Sequence, residues 1–176
     1  MSQYAKVMWL GRRGMRSEHL LPTLFQQHAS CSPPQVLLIH LGGNDMGLLK
    51  GKALILQARA DFQTIRQWWP GVVIVWSCML PRFNWKEGID HKVMERARKK
   101  VNAEIFNDLF RHGDFSIQHQ AIGLSRRELY RQDGIHLSDI GNDIFLGDLQ
   151  KGLEQIIRAR WGEGATKQVA CRTQWR

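Results

Sequence analysis

Acidic residues are the scarce charged class in this sequence. Sixteen aspartates and glutamates face 25 lysines and arginines, for a net charge of +9 and an isoelectric point near 9.9. Such an excess suits polyanionic partners, or no more than solvated helix faces. Cysteine is scarcer still. Cys31, Cys78 and Cys171 are odd in number, widely spaced and without a CxxC pair. That argues against a disulfide framework and against a cysteine zinc site, and they are read as free, mostly buried thiols. No apolar run approaches the ~20 residues of a membrane helix. The stretch MSQYAKVMWLGRRGMR lacks an apolar segment between a basic start and a small-residue cleavage site. No signal peptide is therefore read, and the expected location is intracellular, cytoplasmic or nuclear. Repeats and low-complexity tracts are absent. What remains is an ordinary globular composition, 43% hydrophobic in 176 residues, which favours one domain.

Two kinds of apolar pattern alternate along the chain. Short continuous runs bounded by glycine or proline suit strands buried on both faces. These are AKVMWL (Ala5 to Leu10), VLLIHL (Val36 to Leu41), VVIVW (Val72 to Trp76) and, more weakly, Phe115 to His119. Between them lie helical stripes with apolar residues at steps of three and four. The spacing predicts helices from about Ser17 to His28, with Ser17 as cap, and over Ala53 to Trp68, His91 to His112 and Asp139 to Arg160. Strand and helix in alternation imply a parallel sheet covered on both faces, with the site at the carboxyl ends of its strands. The tail over 162–176 has little apolar pattern and is read as a basic, disordered extension of one domain over 1–161.

Three polar clusters fall at those strand ends. DGIH places Asp133 three residues before His136, so the carboxylate can fix the imidazole's tautomer while the other ring nitrogen acts as base. Alone, Asp-x-x-His serves a turn and a helix cap equally well. LGGND, Leu41 to Asp45, sets Gly42, Gly43 and Asn44 directly after a buried strand. Gly43 lets the backbone approach a ligand, and Asn44 can donate its amide, as an oxyanion hole requires. A plain glycine turn would use the same residues. The GRRG turn could add a backbone donor at Gly14. Trp85, in the loop after Pro81, could line a substrate cleft. The remaining histidines share no metal-ligand spacing, and no metal site is read. His40 is read as a hydrogen-bonded core or sheet residue.

Taken together, the order and placement of these clusters resemble the SGNH, or GDSL, hydrolase superfamily. WLGRRGM, VLLIHLGGNDMG, LPRFNW and LYRQDGIHLSDIGND are similar to esterase-like modules of vertebrate, especially fish, mobile-element-derived genes. The resemblance implies a flavodoxin-like α/β/α fold with a parallel sheet. It implies Asn44 and Gly14 as oxyanion donors, His136 as base and Asp133 as its orienting acid, with a small ester or acyl substrate. No metal or organic cofactor is implied.

One block of the family is missing. Its first strand, ending in a Gly-x-Ser turn with the nucleophile, should precede the glycine block, where only Met1 to Gln3 stand before AKVMWL. Ser2 has no preceding strand, and Ser17 and Ser77 occupy positions the family does not use. The expectation is an incomplete SGNH-type domain that lacks its internal first strand and has little esterase activity alone. Its exposed sheet edge would be open to self-association. The alternative is a catalytically inactive basic module that binds nucleic acid or a protein partner. No membrane partner is expected.

Overall fold

A computed structural model describes residues 6–85 and 90–162. It contains four helices, α1 (Leu20–Ser30), α2 (Gly51–Trp68), α3 (His91–Arg111) and α4 (Asp139–Trp161), and three strands, β1 (Val36–Ile39), β2 (Val73–Ser77) and β3 (Phe115–Ile117). The strands form one parallel sheet in the order β1-β2-β3, with Val36 opposite Val73 and Val75 opposite Phe115. All five residues of β2 are buried, as its unbroken apolar run requires.

Alternate β2 side chains enter different layers because strand side chains have a period of two. Ile74 and Trp76 join Leu54, Phe62 and Ile65 of α2 and Val101, Ile105 and Leu109 of α3. Val73 and Val75 pack with Ile117 against Leu149 and Ile156 of α4. The result is the expected three-layer arrangement. Asp114 ties its base together: one carboxylate oxygen accepts from the Ile74 N–H at 2.8 Å and the other from Arg66 at 2.6 Å. No helix among the described residues is long and apolar enough to cross a membrane.

Three expectations need correction. The AKVMWL segment is not a strand. Its described residues, 6–10, pair with nothing, and Met8 and Trp9 are 50% and 56% exposed. A six-residue strand is held by ladder bonds and a buried face, and without them nothing offsets its ordering entropy. Among the described residues β1 therefore has only β2 as a neighbour. Second, Ser17 does not cap α1. It opens a single 3₁₀ turn, Ser17–His19, and its hydroxyl is directed at Asp45 instead. Third, the cysteines are not uniformly buried, for Cys31 is exposed. Cys171 and the expected tail over 163–176 lie outside the described residues.

Candidate active site

The DGIH loop is closed before α4 begins. Tyr130 and Leu137 form an antiparallel bridge, and the Arg131 N–H donates to the His136 carbonyl at 2.8 Å. Gly134 turns the chain at φ 67°, where a side chain would also meet Phe83 Cβ. Arg127 donates to the carbonyls of Tyr130, Arg131 and Gln132, which clamps the loop from outside. Inside this frame Asp133 Oδ1 accepts from the backbone N–H groups of Ile135 and His136, at 2.8 and 2.9 Å. Its other oxygen, Oδ2, lies 2.6 Å from His136 Nδ1. The His136 bond, followed by the two backbone bonds, holds the Asp133 carboxyl well below the usual carboxylate range. An ionised carboxylate only accepts, so Nδ1 carries the proton and Nε2 is the basic nitrogen. The His136 side chain is 66% exposed, and Nε2 makes no hydrogen bond among the described residues.

The LGGND loop is built around a buried carboxylate. Asp45 is 2% exposed and accepts from the Ser17 N–H at 3.0 Å and from the Ser17 hydroxyl at 2.7 Å. This fastens the segment after the Gly14 turn to the strand end carrying Asn44. Asn44 Nδ2 donates to the Met15 carbonyl at 3.0 Å, so the Gly14–Met15 turn lies against Asn44. Gly14 itself is at φ 70° with open space where a side chain would stand. Gly42, at φ 93°, packs on Met79, leaving no room for a Cβ.

The loop after β2 joins the two halves, and it contains a residue the sequence reading passed over. Arg82 donates to Asn44 Oδ1 at 3.2 Å and covers Gly43, where a Cβ would collide with the guanidinium. It stacks over Trp85 with 5.3 Å to the ring centroid. Burial pulls the Arg82 pKa down, and the Asp133 charge pushes it back up. Its neighbours reach the other half directly: the Phe83 N–H donates to the Gly134 carbonyl at 2.8 Å, and Asn84 Nδ2 to the Asp133 carbonyl at 2.7 Å. Gly14, Asn44, Asp133 and His136 are thereby linked through one loop. Trp85 is half-buried against the core under Arg82. An arginine after Pro81 was visible in the sequence, but nothing local marked its reach.

Of the serines singled out earlier, Ser2 lies outside the described residues, and Ser17 and Ser77 are committed elsewhere. Ser17 binds Asp45. Ser77 is fully buried, 2.9 Å from both His40 Nδ1 and His119 Nε2, and His119 Nδ1 lies 3.2 Å from Asp148. This chain crosses the carboxyl ends of all three strands to α4. It has the connectivity of a catalytic triad, yet Ser77 has no access to solvent. Burial raises the Cys78 thiol pKa, offset by Arg98 and Ser116, so that sulfur is no substitute nucleophile. His40 is hydrogen-bonded as expected but is exposed along one edge, not core.

Protein still surrounds the rest of the His40 ring. Burial, then His119 and Arg82, push its pKa down from 6.5 to about 4 against the opposing Ser77 bond. Burial lowers His119 as well, against Asp148. A histidine with a lowered folded pKa resists protonation, so its contribution is whole above pH 6.5 and is lost on acidification towards about 4. Asp61 acts in the opposite sense. Burial, against a Gln57 bond, raises it from 3.8 to about 6, so its contribution falls as pH rises between those values. Comparison with a variant removes that background. His40→Gln is expected to lose less stability than the native chain between pH 6.5 and 4.5 in urea titrations. The exposure of His40 keeps the difference modest. Equal losses would mean that the His40 imidazole is not desolvated.

No family model matches the sequence, and no curated protein matches it significantly. Solved structures do. The family 3 carbohydrate esterase of Clostridium thermocellum superposes with a TM-score of 0.66 at 21% identity, covering 85% of this chain and 70% of that one. A GDSL-like lipase from Bacteroides thetaiotaomicron gives 0.65 at 15% identity, covering 81% and 72%. The esterase domain of the ZfL2-1 ORF1 protein from a zebrafish retrotransposon gives 0.50 at 24% identity, covering 80% and 83%.

Proposed function

We propose, from the fold this chain shares with SGNH hydrolases, that it is an ester or acyl hydrolase domain acting on small substrates through His136. One observation carries the reading: the Asp133–His136 pair leaves Nε2 basic and exposed, in a loop fastened to the one that holds Asn44. His136 Nε2 takes the proton of an attacking serine hydroxyl. Asp133 keeps the tautomer and stabilises the imidazolium that forms. The tetrahedral oxyanion is met by the Gly14 N–H and by Asn44, whose amide has a second hydrogen beyond the one on Met15. His136 then returns the proton to the leaving alcohol, and water repeats the cycle on the acyl-enzyme. Gly43 and Trp85 border the acyl group on the side of Arg82.

No described serine hydroxyl bonds His136, and Ser17 and Ser77 are held elsewhere. We therefore assign the nucleophile to a strand outside the described residues, which would pair with the open side of β1. By itself the 176-residue chain has little activity. The test compares nitrophenyl acetate hydrolysis by this chain with that of the same chain preceded by a strand ending in Gly-Asp-Ser. Background rates for the first and turnover for the second are expected. Turnover by the shorter chain, abolished by His136→Ala, would refute the external serine. A folded extended chain with no turnover would refute the hydrolase reading.

A further inference from the structure

We infer that the outward face of α3 is a binding surface for single-stranded nucleic acid. Lys92, Arg96, Lys99, Ala103, Phe106 and Phe110 follow one another at steps of four and three, which places them on one stripe of the helix. All six are exposed. Lys100, Asn107 and Arg111 flank the stripe and are exposed too. The face is thus cationic over its first half and aromatic over its second, along a helix about 31 Å long.

The charge on this face is not balanced by its own helix. Glu95, Glu104 and Asp108 turn away from it. Glu95 pairs with the buried Arg98 at 2.5 Å, and Glu104 and Asp108 pair with Arg59 of α2 at 3.2 and 3.3 Å. Lys99 keeps only a 3.8 Å approach to Glu95. Among the described residues no carboxylate lies within ion-pair distance of Lys92, Arg96, Lys100 or Arg111. Apart from the buried Arg98, α3 sends its cations to solvent, while its acids pair with Arg98 and Arg59.

The aromatic half has no structural role to explain it. Phe110 is 71% exposed and Phe106 40%, with their rings tilted together at a centroid distance of 5.9 Å. Phenylalanine rings left in water beside a row of cations match a ligand with a charged backbone and flat apolar faces. Single strands offer both, since phosphates meet the cations and unstacked bases meet the rings. A duplex hides its base faces, which would leave the phenylalanines idle. A lipid surface fits less well. An interfacial helix needs a broad apolar face apart from its charged one, and the apolar face of α3 (Met94, Val101, Ile105 and Leu109) is already spent on the core. This inference is independent of the hydrolase reading, because α3 carries none of Gly14, Asn44, Asp133 or His136.

The experiment measures fluorescence anisotropy of a short mixed-sequence single-stranded RNA with the full chain over a range of KCl concentrations. Replacing Lys92, Arg96, Lys99 and Lys100 by alanine is expected to weaken binding and to flatten the log–log salt dependence by about two to three units. Phe106→Ala with Phe110→Ala is expected to weaken binding by about tenfold or more with the salt slope unchanged, and tryptophan at both positions to restore it. Thermal unfolding of each variant should match the native chain, because every replaced side chain is exposed. The inference fails if the native chain shows no salt-dependent binding. It also fails if both variants bind as the native chain does, or if phosphatidylserine vesicles are bound and RNA is not. Equal affinity for a duplex, insensitive to the phenylalanine changes, would overturn the single-strand assignment.

Discussion

Gly141→Ala is expected to lower stability by about 3 kcal/mol or more, at the upper end of overpacking effects, and to release the DGIH loop. Gly141 lies in the first turn of α4 and is buried. A Cβ there would be driven into the Leu129 carbonyl oxygen and would stand 3.2 Å from Leu137 Cβ. The obstacle is backbone, and it cannot rotate away. The same Leu129 carbonyl accepts from the Ser138 N–H at 2.9 Å, and the Ser138 hydroxyl caps the helix through the Gly141 N–H. Moving Leu129 therefore breaks the connection that holds residues 130–137 closed. Gly147→Ala is the control in the same helix. Nothing lies within 4 Å of its Cβ, so the substitution should stabilise by roughly 0.5–1 kcal/mol through helix propensity alone. Urea unfolding of the two variants separates packing from propensity. Equal effects would show that α4 does not approach Leu129 as closely as described.

In a chain carrying the serine-bearing strand, His136→Ala is expected to lower kcat by ~10³-fold or more, with KM changed little. On the proposed hydrolase mechanism, the imidazole handles a proton in the transition state and contributes little to ground-state binding. Asp133→Asn should cost a comparable factor for a different reason. The asparagine oxygen can keep the two backbone bonds from Ile135 and His136. Its amide nitrogen would then face His136 Nδ1 as a donor, forcing the ring proton onto Nε2. The base would be present and in place but blocked, as a tautomer argument requires. Stability should be nearly unchanged, since the pair is exposed. A variant that keeps full kcat would remove Asp133 from the mechanism.

The degree to which the fold could be read varied with how local its causes are. The helices α2, α3 and α4 and the strands β1 to β3 were legible because apolar periodicity and buried runs are properties of a few neighbouring residues. Their bounds moved by at most two residues. AKVMWL carried the same local signal and failed, because a strand also needs a partner and a face to bury. The site was half legible. The Asp133–His136 contact spans three residues and follows from the turn between them. Arg82 was not legible, since it meets Asn44 38 residues away through a loop with no periodicity. Nor was the pairing of Ser17 with Asp45, or of Ser77 with two histidines, since polar partners of that kind are chosen by which strand ends become neighbours.

The sequence alone determined the layer pattern, the Asp133–His136 pair and the glycine turn that carries Asn44, because each rests on short-range spacing. Tertiary structure decided the rest. It joined Asn44 to Asp133 through the Pro81 to Trp85 loop, committed Ser17 and Ser77 elsewhere, and left Met8 and Trp9 in solvent. On α3 it turned the acids inward to Arg98 and Arg59 and left the cations and two phenylalanines outside. These outcomes depend on which distant groups can satisfy one another's burial and hydrogen bonding, a condition met only once the sheet has assembled.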